Sequence, residues 1–357
     1  KHLLKLSLKK NFYKKKINCE VCNSRNFSSL QNIGRIGRPG EYGLLNTVIC
    51  LNCSFKYLNP RYNDAFYKSY YKKNYRKIAF GDYKPSKKYI KQQISRGQGV
   101  YNCFKNFLPK TGKILDHGCA SGATMIAWIK NGWNALGIDP HEPSVKFGKQ
   151  NLNLEIKKAF GEKLPFKRKN FDVVLSLGSL EHSYDLNKSL SQISKILKTD
   201  GKLIIRWRSD EIIGSPLEYY NHNHNRFFNK HTWRLVLKKH GFHKVRFTKK
   251  KPEGYISYKY IIASKSIKIF KKLNFKNLAQ VKKEISYHKK VEQKYFKFAK
   301  IYEKNFKNKF DLKKKKNFIK RYKIKLLGIR KEEAIKRFFL ELKSFLKFIK
   351  YYNIEKN

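Results

Sequence analysis

Three groups of residues in this chain have types and spacings suited to chemistry. The run Asp116-His-Gly118-Cys-Ala-Ser-Gly122 sets two glycines behind an acid. Glycines at such points let a backbone turn tightly and approach a ligand closely. Asp139 follows about 20 residues later, where the second strand of an α/β unit often ends in a carboxylate that accepts ribose hydroxyls. Glu181 and His182 stand side by side just beyond an apolar run, placed to take a proton from a bound acceptor. His182 suits a helix cap or a packed imidazole as well. Finally, Cys19-x-x-Cys22 and Cys50-x-x-Cys53 can set four thiolates tetrahedrally around Zn²⁺. Four sulfur ligands leave no open position, so such a zinc is structural.

These residues need elements to hold them, and the stretch from 111 to 264 supplies a pattern. Apolar runs at 113–116, 134–138, 155–160, 171–177 and 202–207 read as strands. Helical spacing at 123–130, 142–150 and 186–197 falls between them. Strands alternating with helices predict an α/β, parallel, doubly wound sheet, whose ligands bind beyond the C-terminal strand ends. Runs at 242–249 and 255–263, joined by Lys-Pro-Glu-Gly, predict a terminal antiparallel hairpin. The expected organisation is a zinc ribbon over 1–60, a helical connector over 61–110, the ligand-binding domain over 111–264 and a basic helical extension over 265–357.

The glycine spacing chooses between two ligands. A dinucleotide site normally uses G-x-G-x-x-G to seat pyrophosphate on a helix N-terminus. Here the spacing is G-x-x-x-G, with an acid two residues ahead that repels pyrophosphate but suits the ammonium of a methionine moiety. The choice is S-adenosylmethionine. The segment then resembles the class I S-adenosylmethionine-dependent methyltransferases, a Rossmann-like family. Asp116, Gly118 and Gly122 match its first motif, with Ala120 where a middle glycine is usual. The resemblance implies that Asp139 holds the ribose and that Glu162, in Gly161-Glu-Lys-Leu-Pro-Phe166, lies beside the adenine. It sets Leu177-Gly-Ser-Leu-Glu-His182 opposite the methyl donor.

The second cysteine pair leads into Asn59-Pro-Arg61 and Phe66-Tyr-Lys-Ser-Tyr70. This is similar to the zinc-binding prefix of bacterial sugar C-methyltransferases, where a Glu-His pair lies at the catalytic centre, matching Glu181 and His182. That group ends in a second α/β domain, whereas this chain ends in Lys-rich helices. The resemblance implies a sugar or sugar-nucleotide acceptor, methylated on carbon or oxygen. Tyr219, Tyr220, His222 and His224, in an insertion after the fifth strand, are expected over the acceptor as a polar lid. A plain structural loop is the other reading, and His222-x-His224 is a weak metal signal.

The 82 Lys and Arg against 25 Asp and Glu leave a net charge of +57, which raises RNA as an alternative acceptor, gripped by the tail and the ribbon. Against it, Lys is enriched everywhere rather than in one stripe, and Ser176-Leu-Gly-Ser179 stands where many base methylases carry an N/D-P-P-Y tetrad. In the tail, Phe270, Phe275, Tyr295, Phe296, Phe298, Tyr302 and Phe306 have the spacing of helices packing an apolar face. A non-catalytic scaffold is the remaining alternative. No stretch approaches the roughly 18 apolar residues of a membrane span. The first 16 residues lack the apolar core of a secretory signal, so the expected location is the cytoplasm.

Overall fold

Strand and helix patterns alternate through the middle of the chain, and the fold follows that alternation. The computed structural model describes residues 13–36, 42–75, 85–208, 216–248, 252, 258–265, 273–306, 312–321 and several positions between 335 and 346. Among them, no helix is long and apolar enough to cross a membrane.

The chain opens with β1 (Lys14–Lys15), β2 (Phe27–Arg35), β3 (Tyr42–Cys50), β4 (Lys56–Leu58) and β5 (Arg61–Tyr62). β2, β3 and β4 form an antiparallel meander, and β1 pairs with β5. One Cys-x-x-Cys turn precedes β2 and the other joins β3 to β4. Helix α1 (Asp64–Ser69) starts at Asn63, whose side chain accepts from the backbone N–H of Phe66 at 3.1 Å. It continues into a π-helical turn, Tyr70–Asn74. Such turns shift the facing of the residues that follow and are frequent at functional sites. Helix α2 (Lys87–Phe104) comes next, capped by Ser86.

The central sheet contains β6 (Lys113–His117), β7 (Asn134–Asp139), β8 (Ile156–Lys158), β9 (Phe171–Leu177) and β10 (Leu197–Arg208), with helices α3 (Met125–Lys130), α4 (Glu142–Leu152) and α5 (Leu186–Ile196) between them. β8-β7-β6-β9-β10 run parallel in that order. Phe171, Val173, Val174 and Leu175 of β9 are fully buried, as a central parallel strand covered on both faces requires. Alternate residues feed two cores: Leu115, Val174 and Ile205 on one face, Ile114, Val173 and Ile204 on the other. The chain steps from β6 outward to β7 and β8, then back to β9. That reversal opens a crevice beyond the ends of β6 and β9.

After β10 come a short helix α6 (Pro216–Tyr219), β11 (Arg226–Phe227) and helix α7 (Lys230–Lys239). β11 leaves the central sheet and pairs with β4 of the ribbon, completing its sheet in the order β11-β4-β3-β2. Ribbon and sheet therefore share one core, in which Cys19, Val48 and Phe55 pack with Leu115, Ile205 and Trp233. β12 (Phe242–Phe247) and β13 (Tyr258–Lys265) are antiparallel, as the hairpin expectation requires, but β13 joins β10 and β12 takes the edge. The residue pattern explains this. Tyr260, Ile261, Ile262 and Ala263 are all buried, whereas β12 alternates, as an edge strand does. The connecting Lys-Pro-Glu-Gly lies outside the described residues apart from Pro252.

In the tail, α8 (Leu278–Phe306) and α9 (Leu312–Arg321) bury an aromatic face. Tyr295 and Phe298 pack with Phe318, Phe338 and Phe339 while Lys282, Lys283, Lys289 and Lys290 stay exposed. Phe270 lies outside the described residues.

Candidate functional site

The crevice between β6 and β9 is a cavity of about 350 Å³, lined from the β6 side by a glycine loop and from the β9 side by a Glu-His turn. The loop after β6 takes three left-handed residues: Gly118 (φ +80), Ala120 (φ +53) and Gly122 (φ +74). A Cβ on Gly118 would sit 2.5 Å from Cβ of Ser179, so only glycine fits between the strand ends. Ala120 keeps the left-handed backbone of the usual glycine, at a cost of about 1–2 kcal/mol. Its N–H donates to Oδ2 of Asp139 at 2.8 Å, while the N–H of His141 donates to Oδ1 at 2.8 Å. Asp139 thus straps the first loop to the second and still borders the cavity. Gly122 packs behind the loop, where an added Cβ would lie 2.8 Å from Cδ1 of Ile156.

Asp116 is buried at the mouth of this loop, and its Oδ2 has no hydrogen-bond partner among the described residues. Burial pushes its pKa up to about 7; the charge of Asp139 adds to the rise and Arg96 opposes it. A buried carboxylate without a partner wants a cationic ligand. Its titration has a measurable sign. Because the folded-state pKa is raised, the group's stabilising contribution is fully present below the ordinary carboxylate range and is lost as pH rises through about 7. Asp116→Asn, which cannot ionise, is therefore expected to stabilise the ligand-free protein at pH 8 by on the order of 3 kcal/mol, and hardly at all at pH 4. Denaturant titrations at the two pH values check this; an equal gain at both would rule out titration as the cause.

Glu162 borders the same cavity, buried, with Oε1 accepting from the N–H of Asp185 at 3.2 Å. It is thereby tied to the segment that follows His182.

On the β9 side of the cavity, the strand stops at Gly178 (φ +95) and a 3-10 turn, Leu180–His182, brings Glu181 and His182 to the lining. Burial raises the Glu181 carboxyl to about 7, and its Oε2 has no partner among the described residues. Burial lowers the His182 imidazole to about 4. Its Nδ1 lies 2.6 Å from the carbonyl of Asn223 and 2.9 Å from the Tyr71 hydroxyl, which itself donates to that carbonyl at 2.7 Å. Since a carbonyl only accepts, Nδ1 carries the proton and Nε2 the lone pair.

Of the four residues expected as a lid, His224 alone borders this cavity, its ring 4.6 Å from that of His182. Tyr219 and Tyr220 instead pack with Leu58 and Phe227, and His222 is buried 4.9 Å from the ring of Tyr70. The pairing of β11 with β4 pulls this part of the insertion into the ribbon and turns its tyrosines inward. Tyr71 of the π-helical turn and Tyr75 directly after it border the cavity instead, with Tyr258 and Arg206. Sequence reasoning missed these four. The dense tyrosines after α1 were the available signal for the first two, but helical spacing does not reveal a π turn.

The four cysteines converge. Sγ of Cys19 and Cys53 lie 3.5 Å apart, as do those of Cys22 and Cys50, and all four fall within 4.8 Å of one another. A tetrahedral Zn–S₄ site needs sulfurs roughly 3.8 Å apart, so the donor set fits that ion. Between the first pair, Glu20 forms bidentate ion pairs with Arg61 and Arg226. Arg226 also donates to the carbonyl of Ser183, and Arg61 to that of Tyr184 at 3.3 Å. The cysteine turn is thus wired to the segment directly after His182.

Residues 115–205 match a family of methyltransferase domains. Three relatives illustrate the likeness. A ubiquinone biosynthesis O-methyltransferase of Pelagibacter ubique is 30% identical over 123 residues, 33% of this chain and 50% of that protein. An uncharacterized protein of Methanocaldococcus jannaschii is 37% identical over 92 residues, 26% of this chain and 35% of that one. A ubiquinone/menaquinone biosynthesis C-methyltransferase of Campylobacter jejuni is 28% identical over 107 residues, 28% of this chain and 46% of that one. The chain spans half the length, or less, of these relatives.

Proposed function

With an S-adenosylmethionine-dependent methyltransferase domain as the premise, we propose that the protein methylates an oxygen or carbon of a small hydroxylated acceptor, a sugar or sugar nucleotide. One observation carries the reading: a single cavity is lined by two buried carboxylate oxygens without a partner among the described residues, Asp116 Oδ2 beside the glycine loop and Glu181 Oε2 after β9. The first suits the donor's ammonium and the second an acceptor's proton.

Asp116, Asp139 and the backbone around Gly118 and Gly122 hold the donor, with Glu162 on the adenine side. When bound, S-adenosylmethionine supplies a methyl group on a sulfonium that already leaves readily. The chain's own work is alignment and proton handling. Glu181, with a pKa near neutrality, accepts the acceptor's proton, and His182 helps position the group that loses it. Tyr71, Tyr75 and His224 border the cavity and suit the faces and hydroxyls of a ring. Cys19, Cys22, Cys50 and Cys53 hold a structural zinc.

Two measurements test this. Titration with S-adenosylhomocysteine should show saturable binding, and labelled S-adenosylmethionine should label one member of a panel of sugar nucleotides, quinols and RNA. Labelling of RNA alone, in a salt-sensitive manner, would overturn the small-molecule reading. Metal analysis should find one zinc per chain, lost together with most folded protein in Cys50→Ser; a metal-free, fully folded wild type would remove the zinc.

A further inference from the structure

We propose that Glu181, His182 and His224 form a second metal site, for a first-row divalent cation that carries the acceptor by two adjacent oxygens. This rests on the reading of the β9 side of the cavity as the acceptor side. Each of the three residues offers a donor atom within 4.8 Å of the other two. A carboxylate and two imidazoles form a donor set typical of such ions, distinct from the four thiolates of the ribbon.

Three features of the chain argue for a ligand here. Glu181 is buried yet its Oε2 has no partner among the described residues, a state that costs free energy until something binds. His182 is held in one tautomer by the Asn223 carbonyl, so Nε2 presents its lone pair; ligating imidazoles are usually fixed through the other nitrogen in this way. Asn223 and His224 are neighbours, so the segment that fixes one imidazole also delivers the other. Nδ1 of His224 has one long contact, 3.4 Å from Nδ2 of Asn221, and that amide also donates to the Tyr219 carbonyl at 3.1 Å. The His224 contact can therefore give way without leaving the amide unsatisfied.

Metal–nitrogen and metal–oxygen bonds of about 2.1 Å place donors about 3 Å apart, so binding draws the three inward by up to about 2 Å. Three protein ligands leave open positions facing the cavity. A vicinal diol or an α-hydroxyketone fills two of them; the ion would lower the pKa of the oxygen to be methylated or of the carbon beside it, and Glu181, ligating through one carboxylate oxygen, would take that proton on the other. Quinols with adjacent oxygens meet the same requirement, and acceptors with an isolated hydroxyl do not.

Manganese(II) is the probe, because it avoids thiolates and leaves the ribbon undisturbed. The full-length protein is titrated with Mn²⁺, and the loss of the free-ion paramagnetic resonance signal is followed, with S-adenosylhomocysteine titration of the same samples as the control. Expected is one saturable Mn²⁺ per chain, weakened at least about tenfold in both His224→Ala and Glu181→Gln, with S-adenosylhomocysteine binding retained. Wild-type protein that binds S-adenosylhomocysteine but not Mn²⁺, or variants that bind Mn²⁺ as tightly as wild type, overturn the metal site and leave the methyltransferase reading standing. Loss of Mn²⁺ binding in Glu181→Gln but not in His224→Ala also overturns it. Wild-type protein that binds neither ligand removes both.

Discussion

Glu20→Ala is expected to cost about 3–5 kcal/mol of stability, an unusually large loss for one carboxylate. Glu20 forms the ion pairs of two buried guanidinium groups, Arg61 and Arg226, whose side chains are 6% and 0% exposed. Burial alone would raise its pKa, but the charges and hydrogen bonds of Arg226 and Arg61 outweigh burial and pull it down to about 2. Removing the carboxylate strands two charges away from water, and neither can be neutralised by deprotonation. Because the pKa is depressed, this stabilisation is present above the ordinary carboxylate range and is lost as pH falls toward about 2. Chemical denaturation of wild type and variant between pH 7 and pH 3 measures both effects. A loss below about 1 kcal/mol at pH 7 would mean that water reaches the cluster. Since the same arginines hold the carbonyls of Ser183 and Tyr184, the segment after His182 should loosen in parallel, with faster amide exchange there.

The second large effect is on ligand affinity. Asp139→Ala is expected to weaken S-adenosylhomocysteine binding by at least about 100-fold, since two hydrogen bonds to a charged acceptor contribute about 1.5–3 kcal/mol each. The variant loses the proposed ribose contacts and also frees the N–H groups of Ala120 and His141, so the glycine loop loses its strap. Asp139→Asn should fall between, because one of its two acceptors becomes a donor facing an N–H. Calorimetric titration decides; a loss under tenfold in the alanine variant would remove the ribose role.

Much of the candidate site was legible because its signals are local. The bend of the loop after β6 is set by residues two and four apart, so Gly118 and Gly122 mark it in the sequence. Even Ala120, which breaks the usual pattern, keeps its left-handed backbone because Asp139 holds its N–H. The Cys-x-x-Cys pairs are equally short-range. The lid was not legible. Tyr219, Tyr220 and His222 have the composition of a polar cover, but β11 pairs with a strand of the ribbon about 170 residues earlier, and that pairing turns them inward. The same holds for Lys56 of β4, buried against Glu284 of α8, 228 residues away. Among so many lysines nothing in the chain singles this one out.

What the sequence determined by itself was the α/β alternation, the glycine loop and the acids beside it, the convergent thiols and the Glu-His pair after β9. Periodicity and short spacing encode these, because steric limits and side-chain alternation act over a few residues. Only the tertiary structure decided that the ribbon shares a core with the sheet, that a π turn brings Tyr71 and Tyr75 to the cavity, and that His224 comes to lie beside Glu181 and His182. Those outcomes depend on which distant surfaces satisfy each other's buried polar groups, and that requirement is met in space rather than along the chain.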